Sequence, residues 1–150
     1  MQIYVDADAC PKVIKDILFR CAERAKVTTI LVANKSLMVP KSAFIKTKRV
    51  EHGFDEADNY IVEQLEAGDI VITADIPLAA DAVKKGALVI SPKGILFDEN
   101  NIQQRLSMRN FMEELRSSGE QIGGPAAFNQ TDRRNFANQL DRLIQKATKK

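Results

Sequence analysis

Asp6 and Asp75 each close a short apolar run, Ile3-Tyr4-Val5 and Ile70-Val71-Ile72, and Asp58 interrupts the apolar stripe of an amphipathic segment. β-Branched and aromatic runs of this kind read as strands buried on both faces, so each delivers its aspartate at a carboxyl end. The helical segment begins after His52-Gly53, with Asp55 as its expected N-cap, and Phe54, Ala57, Ile61 and Leu65 follow the spacing of one helix face. Asp58 lies on that face too. A carboxylate turned toward a core costs several kcal/mol, roughly, unless a cation, strong donors or solvent meets it. Grouped carboxylates also repel one another unless a divalent cation neutralises them. Oxygen-only ligands suit Mg²⁺ or Mn²⁺ rather than zinc. Asp6, Asp58 and Asp75 are therefore the candidate metal ligands, with Asp8 and Asp81 as further candidates at the same mouth. The competing reading is structural: Asp8 and Asp75 each precede a helix that starts near a proline, Pro11 or Pro77, and would cap it.

The elements that must carry these residues alternate along the first hundred positions. The pattern predicts strands at Gln2–Asp6, Val27–Ala33, Thr47–Val50, Ile70–Ala74 and Leu88–Ser91. Helices are expected from about Pro11 to Ala25, from Asp55 to near Gly68, and from Pro77 to Lys85, where Gly86 stops the last. A short extended piece, Ile95–Phe97, precedes a helix from about Asn100 to Ser118. A final helix, Asp132 to about Ala147, takes Thr131 as its cap and carries Phe136, Leu140, Leu143 and Ala147 on one stripe. Alternation of this kind predicts an α/β domain with a mostly parallel sheet covered on both faces. Ligands of such sheets gather outside the carboxyl ends of the strands, where strand order reverses. If the first strand lies beside Ile70–Ala74, Asp6 and Asp75 face each other at that place.

Length and composition frame this reading. The 150 residues fit one domain, 1–150, and 45% hydrophobic with 28% charged residues is ordinary globular composition. No apolar run of about 18 residues offers a membrane span, and the first residues pass straight into a strand without a basic and apolar leader pattern. A cytoplasmic protein without membrane contact is the expectation, with Cys10 and Cys21 as thiols.

Charge is partitioned along the chain. Arg24 to Val50 holds seven basic and no acidic residues, Glu51 to Val83 holds nine acidic and no Lys or Arg, and Asn101 onward holds nine basic against five acidic. An acidic middle between basic flanks is how a metal site would be set beside a surface for a polyanion. Lys46, Lys48, Arg49, Arg105, Arg109, Arg133 and Arg134 are the candidates for backbone phosphates, although such residues are also ordinary solvated charges. Other chemistries find little support. His52 has no partner at a recognisable spacing, Cys10 has no evident base, and neither a P-loop nor a dinucleotide fingerprint is present.

The run Tyr4-Val5-Asp6-Ala7-Asp8-Ala9-Cys10-Pro11 resembles the opening of the YaiI/YqxD family of bacterial proteins. Further matches are Gly53-Phe54-Asp55-Glu56-Ala57-Asp58, Thr73-Ala74-Asp75-Ile76-Pro77-Leu78-Ala79, Gly123-Gly124-Pro125 and Asp132-Arg133-Arg134-Asn135-Phe136, in the family's order over nearly the whole chain. The family is functionally uncharacterised. It is similar in outline to PIN-like nuclease domains, where acidic residues after the first strand, on a middle helix and after the fourth strand hold a divalent metal. Asp6, Asp58 and Asp75 match those places. The resemblance implies a three-layer PIN-like fold with strand order 3-2-1-4-5, extended by two C-terminal helices that pack on the core. It also implies metal-dependent hydrolysis of a phosphodiester, a ribonuclease reaction with RNA the better guess for substrate. Asp8 belongs to the family's own elaboration, where it either binds metal, positions the attacking water or only caps. Two alternatives stand beside it. One is a non-catalytic RNA- or partner-binding module. The other is a D-x-D phosphatase of the haloacid dehalogenase type, with Asp6 as nucleophile and Asp8 as acid, for which Glu51 to Val83 supplies no lysine.

Overall fold

The computed structural model describes residues 1–51, 56–107 and 129–148. The strands are β1 (Ile3–Asp6), β2 (Thr29–Ala33), β3 (Ile45–Arg49), β4 (Ile70–Ile72), β5 (Leu88–Ile90) and β6 (Leu96–Phe97). They form one sheet in the order β3-β2-β1-β4-β5-β6. The first five are mutually parallel and β6 turns back antiparallel along β5. The expected order 3-2-1-4-5 is therefore present, with the extended piece after Gly94 added as a sixth, edge strand. Strand order reverses between β1 and β4, because the chain builds outward to β3 on one side before crossing to β4 on the other.

The helices are α1 (Lys12–Ala25), α2 (Glu56–Gln64), α3 (Ile76–Lys84), α4 (residues 99–107) and α5 (Gln130–Thr148). Side-chain alternation along the strands sorts them into two layers. Ile3, Val5, Leu31, Ile70 and Ile72 face Ile14 and Leu18 of α1 and Phe136 and Leu140 of α5. Tyr4, Val32, Val71 and Val89 face the other way, onto Ile61 of α2, Leu78 and Ala82 of α3 and Ile102 of α4. Strands buried on both faces explain why Ile70-Val71-Ile72 is apolar throughout, whereas edge strand β3 buries only Ile45 and exposes Lys46 to Arg49. Fully burying one such aliphatic side chain contributes about 1.5–3 kcal/mol. The expected stripe of α5 is confirmed at Phe136, Leu140 and Leu143, all buried.

Local chemistry sets the helix ends and corrects several sequence expectations. α1 stops where Lys26 adopts a left-handed φ of 56°, letting the Val27 N–H return to Ala22 O at 3.1 Å. α2 ends at Gln64 rather than near Gly68, because Asp69 Oδ2 accepts the Glu66 N–H and Oδ1 accepts the Gln2 N–H, each at 3.0 Å, which closes a turn in place of another helical one. α5 begins at Gln130, two residues before the expected start. Its opening turn is held by Asn129, not Thr131: Asn129 Oδ1 accepts the Asp132 N–H at 2.9 Å while Asp132 Oδ2 accepts the Asn129 N–H at 3.2 Å. Asp98 and Asn101 make the same exchange at the start of α4. The expected cap at Asp55, the stretch of the fourth helix from 108 to Ser118 and the matched Gly123-Gly124-Pro125 lie outside the described residues. No helix among the described residues is long and apolar enough to cross a membrane.

Candidate active site

The register of β1 on β4 pairs Val5 with Ile72, so one step further Asp6 stands beside Thr73. Both side chains turn to the α2/α3 layer by the alternation that sends Tyr4 and Val71 there. The Thr73 hydroxyl donates to Asp6 Oδ2 at 3.1 Å, and Thr73 Oγ1 accepts the Asp75 N–H at 2.9 Å. Asp75 is the N-cap of α3, its Oδ1 accepting the Leu78 N–H at 3.1 Å. The capping role anticipated for Asp75 is thus real, and its second oxygen is not used by that bond.

On the other side of β1 the chain leaves through a single 3₁₀ turn, Ala7–Ala9. That turn puts Asp8 against the end of β2, where Asp8 Oδ2 accepts the Asn34 N–H at 2.9 Å. Asp8 therefore ties the β1 and β2 loops together rather than capping α1, whose N-cap position is Pro11. Asp58 enters from the first turn of α2, half-buried and one turn before the fully buried Ile61.

Asp6, Asp8, Asp58 and Asp75 line one cleft of about 200 Å³ at the carboxyl edge of the sheet, together with Glu51, Glu56 and Asn34. The cleft lies where strand order reverses, the place at which open α/β sheets take their ligands. No Lys, Arg, His or Cys lines it among the described residues. Burial pushes the Asp6 carboxyl above its ordinary value; the Thr73 hydrogen bond opposes that rise, and the charges of Asp75 and Asp8 add to it. A cation beside Asp6 would offset that rise.

An all-oxygen lining suits a hard divalent ion. Among the described residues, however, no three His, Cys, Asp or Glu side chains are gathered into a coordination shell. Mg²⁺ keeps several of its waters and needs only one or two carboxylates, so the cleft fits a hydrated ion held at one or two points better than one stripped by a full protein cage.

The remaining site candidates divide. Asp81 is exposed on α3 and does not line the cleft. It sits six residues past Asp75, and a helix carries such a residue about 9 Å along its axis. Lys46, Lys48 and Arg49 are exposed on edge strand β3, with Lys48 Nζ 5.5 Å from the centre of the Tyr60 ring. Arg49 lines an open groove of about 490 Å³ that shares Asn34, Val50 and Glu51 with the acidic cleft. Arg105 is exposed on α4 and Arg109 lies outside the described residues. Arg133 and Arg134 lie on α5, in the opposite helix layer from α2, and border a separate groove. The basic candidates are thus at least two surfaces, only one of them continuous with the cleft.

Thr73, Asn34, Glu51 and Glu56 complete the site without having been expected in it. Thr73 carried one usable signal: it precedes Ala74-Asp75 at the position that parallel pairing sets beside Asp6. Cys10 is buried, and burial pushes its thiol up to about 12, so it packs rather than reacts. Cys21 is likewise buried and free, and its thiol is also raised by burial. His52 lies outside the described residues.

Comparison with known proteins agrees with the resemblance. The family model for "Uncharacterized BCR, YaiI/YqxD family" matches residues 4–146. A UPF0178 protein of Saccharophagus degradans is 61% identical over 149 residues, covering 99% of each chain. UPF0178 proteins of Hahella chejuensis and Herminiimonas arsenicoxydans are each 59% identical over 149 residues, covering 99% of this chain and 99% and 100% of theirs. Identity at this level over essentially the full length leaves one conclusion: the chain belongs to the YaiI/YqxD family.

Proposed function

We propose that the protein is a divalent-metal-dependent phosphodiesterase acting on RNA, with its reaction centre in the acidic cleft between the ends of β1 and β4. One observation carries the reading: Asp6, Asp8, Asp58 and Asp75, from three separate segments, line one cleft at the strand-order reversal. The spacing that resembles PIN-like nucleases supports it from the sequence side.

In this reading one or two of Asp6, Asp58 and Asp75 would hold a hydrated Mg²⁺ or Mn²⁺ directly, and the rest would reach it through its waters. The ion would supply Lewis acidity toward a phosphoryl oxygen and lower the pKa of an attacking water. The chain's own residues do the rest. Thr73 fixes the Asp6 carboxylate and, through the Asp75 N–H, the start of α3. Asp8, with one oxygen committed to the Asn34 N–H, has a second oxygen with which to orient the water or take its proton. Arg49 lines the adjoining groove, and with Lys46 and Lys48, exposed on the same strand, would offer cations for the flanking phosphates.

The test is cleavage of end-labelled single-stranded RNA by the purified full chain in Mn²⁺, Mg²⁺ and EDTA. Metal-dependent products that vanish in Asp6→Asn and Asp75→Asn would support the proposal. A parent inert on RNA and DNA in both metals, yet binding RNA, would replace it with the non-catalytic module. Phosphomonoester turnover with a covalent phosphate trapped on Asp6 would replace it with the D-x-D phosphatase.

A further inference from the structure

Three arginines border a groove of about 300 Å³ between α1 and α5: Arg20 on the first helix, Arg133 and Arg134 on the second, with Ile17 and Ala137 as its apolar floor. Arg20 and Arg134 are exposed and Arg133 half-buried. The next contact along the same helix pair provides a built-in comparison. Arg24, one turn beyond Arg20, donates to Asp141 Oδ1 at 2.6 Å across the interface. Arg20, Arg133 and Arg134 make no such pair among the described residues. The nearest acids along the chain are otherwise placed: Asp132 turns its carboxylate back to the Asn129 N–H, and neither it nor Asp16 lines the groove.

Like charges converging on one concave surface repel, and placing a carboxylate opposite them, as Asp141 stands opposite Arg24, would remove that cost at no loss of packing. The groove instead concentrates guanidinium forks, the group best matched to bidentate contact with phosphoryl oxygens. A shallow apolar floor beside them leaves room for the remainder of a phosphorylated molecule.

We propose that the α1/α5 groove is a phosphate-binding site, formed by Arg20, Arg133 and Arg134 and separate from the acidic cleft. The two sites lie in opposite helix layers, so an anion held by these arginines is not the one presented to Asp6. Free phosphorylated compounds and the backbone of a nucleic-acid strand share the chemistry the groove recognises. The site does not depend on the hydrolytic reading of the cleft.

The experiment is calorimetric titration of the full chain with pyrophosphate, and separately with a ten-nucleotide oligouridylate, at low salt in EDTA, where no metal bridges an anion to the acidic cleft. Arg20→Gln and Arg134→Gln should each weaken binding roughly 10- to 100-fold, the scale of a lost charge-assisted hydrogen bond. Neither has a hydrogen-bond or ion-pair partner among the described residues, so melting temperature should not change. Arg24→Gln, equal in charge removed but already paired, should leave affinity within about twofold. Binding of pyrophosphate with this pattern assigns free phosphates; binding of the oligonucleotide alone with this pattern assigns the backbone. Absence of binding to both, or an equal loss in Arg24→Gln, would overturn the site. Asp6→Asn should bind as the parent does, so failure of cleavage and failure of this groove are read independently.

Discussion

Thr73 Oγ1 stands 3.1 Å from Asp6 Oδ2 and 2.9 Å from the Asp75 nitrogen, so one buried hydroxyl joins the carboxylate that ends β1 to the backbone at the start of α3. Its proton goes to Asp6 and a lone pair receives Asp75. The relationship makes Thr73 a positioning residue. Thr73→Val should cost about 1–3 kcal/mol, the penalty for leaving a buried N–H without its acceptor. The same change removes the contact that lowers the Asp6 pKa, so Mn²⁺ binding should set in at higher pH than in the parent. Thr73→Ser keeps the hydroxyl and should restore the pH profile even if packing is lost. An unchanged pH midpoint in Thr73→Val, measured by Mn²⁺ titration across pH, would count against the coupling.

Asp6 itself should behave with the opposite sign from a stabilising carboxylate. Its folded-state pKa is raised, so the unfolded chain ionises first as pH climbs past the ordinary value of 3.8, and stability present below that value is lost as pH rises through the folded one. At neutral pH the metal-free Asp6→Asn variant should therefore melt at or above the parent temperature, the amide oxygen still accepting from Thr73. Added Mn²⁺ should raise the melting temperature of the parent and raise that of Asp6→Asn less, because only a ligand of the native state stabilises by mass action. Thermal melts with and without Mn²⁺, from pH 4 to 8, check both signs.

The capping bond of Asp75 separates structure from chemistry at a single position. Asn caps a helix about as well as Asp, whereas Ala leaves the Leu78 N–H without its partner. Asp75→Ala should lose about 0.5–2 kcal/mol and Asp75→Asn only a few tenths. Both should abolish metal-dependent cleavage. Denaturant melts and RNA cleavage on the same two samples give the comparison, and full activity in a stable Asp75→Asn would show the residue to be a cap alone.

What the sequence disclosed followed from periodicity, and what it hid depended on third-dimension neighbours. Ile3-Tyr4-Val5 and Ile70-Val71-Ile72 announce buried parallel strands because both faces must be apolar, and that alone sets Asp6 and Asp75 at carboxyl ends. Asp58 was legible because it breaks the stripe that includes Ile61. Asp81 misled, since counting residues from a proline does not say how far a helix carries a side chain from the sheet. The end of α2 was hidden in Asp69, whose two oxygens serve Glu66 nearby and Gln2 at the far end of the chain. Arg133 and Arg134 read as part of one basic surface with Lys46 and Lys48, because linear charge blocks carry no record of which face of a sheet a helix covers. Arg20, outside those blocks, could enter only once α1 and α5 were seen side by side.

Gly94 tests how α5 is held to the sheet. It follows β5 with a φ of 87°, and a Cβ there would meet Asn135 C and Phe136 N, both at 2.6 Å. Those are backbone atoms of α5, beside the fully buried Phe136, and cannot swing aside as a flexible side chain would. Gly94→Ala therefore combines a left-handed conformation, costing about 1–2 kcal/mol, with overpacking of about 1–3 kcal/mol. The variant should lose roughly 2–5 kcal/mol in urea unfolding. Gly68, also at positive φ but with open space where its Cβ would lie, is the control: Gly68→Ala should lose only the conformational part. Equal losses at the two glycines would mean that contact with α5 does not constrain the turn after β5.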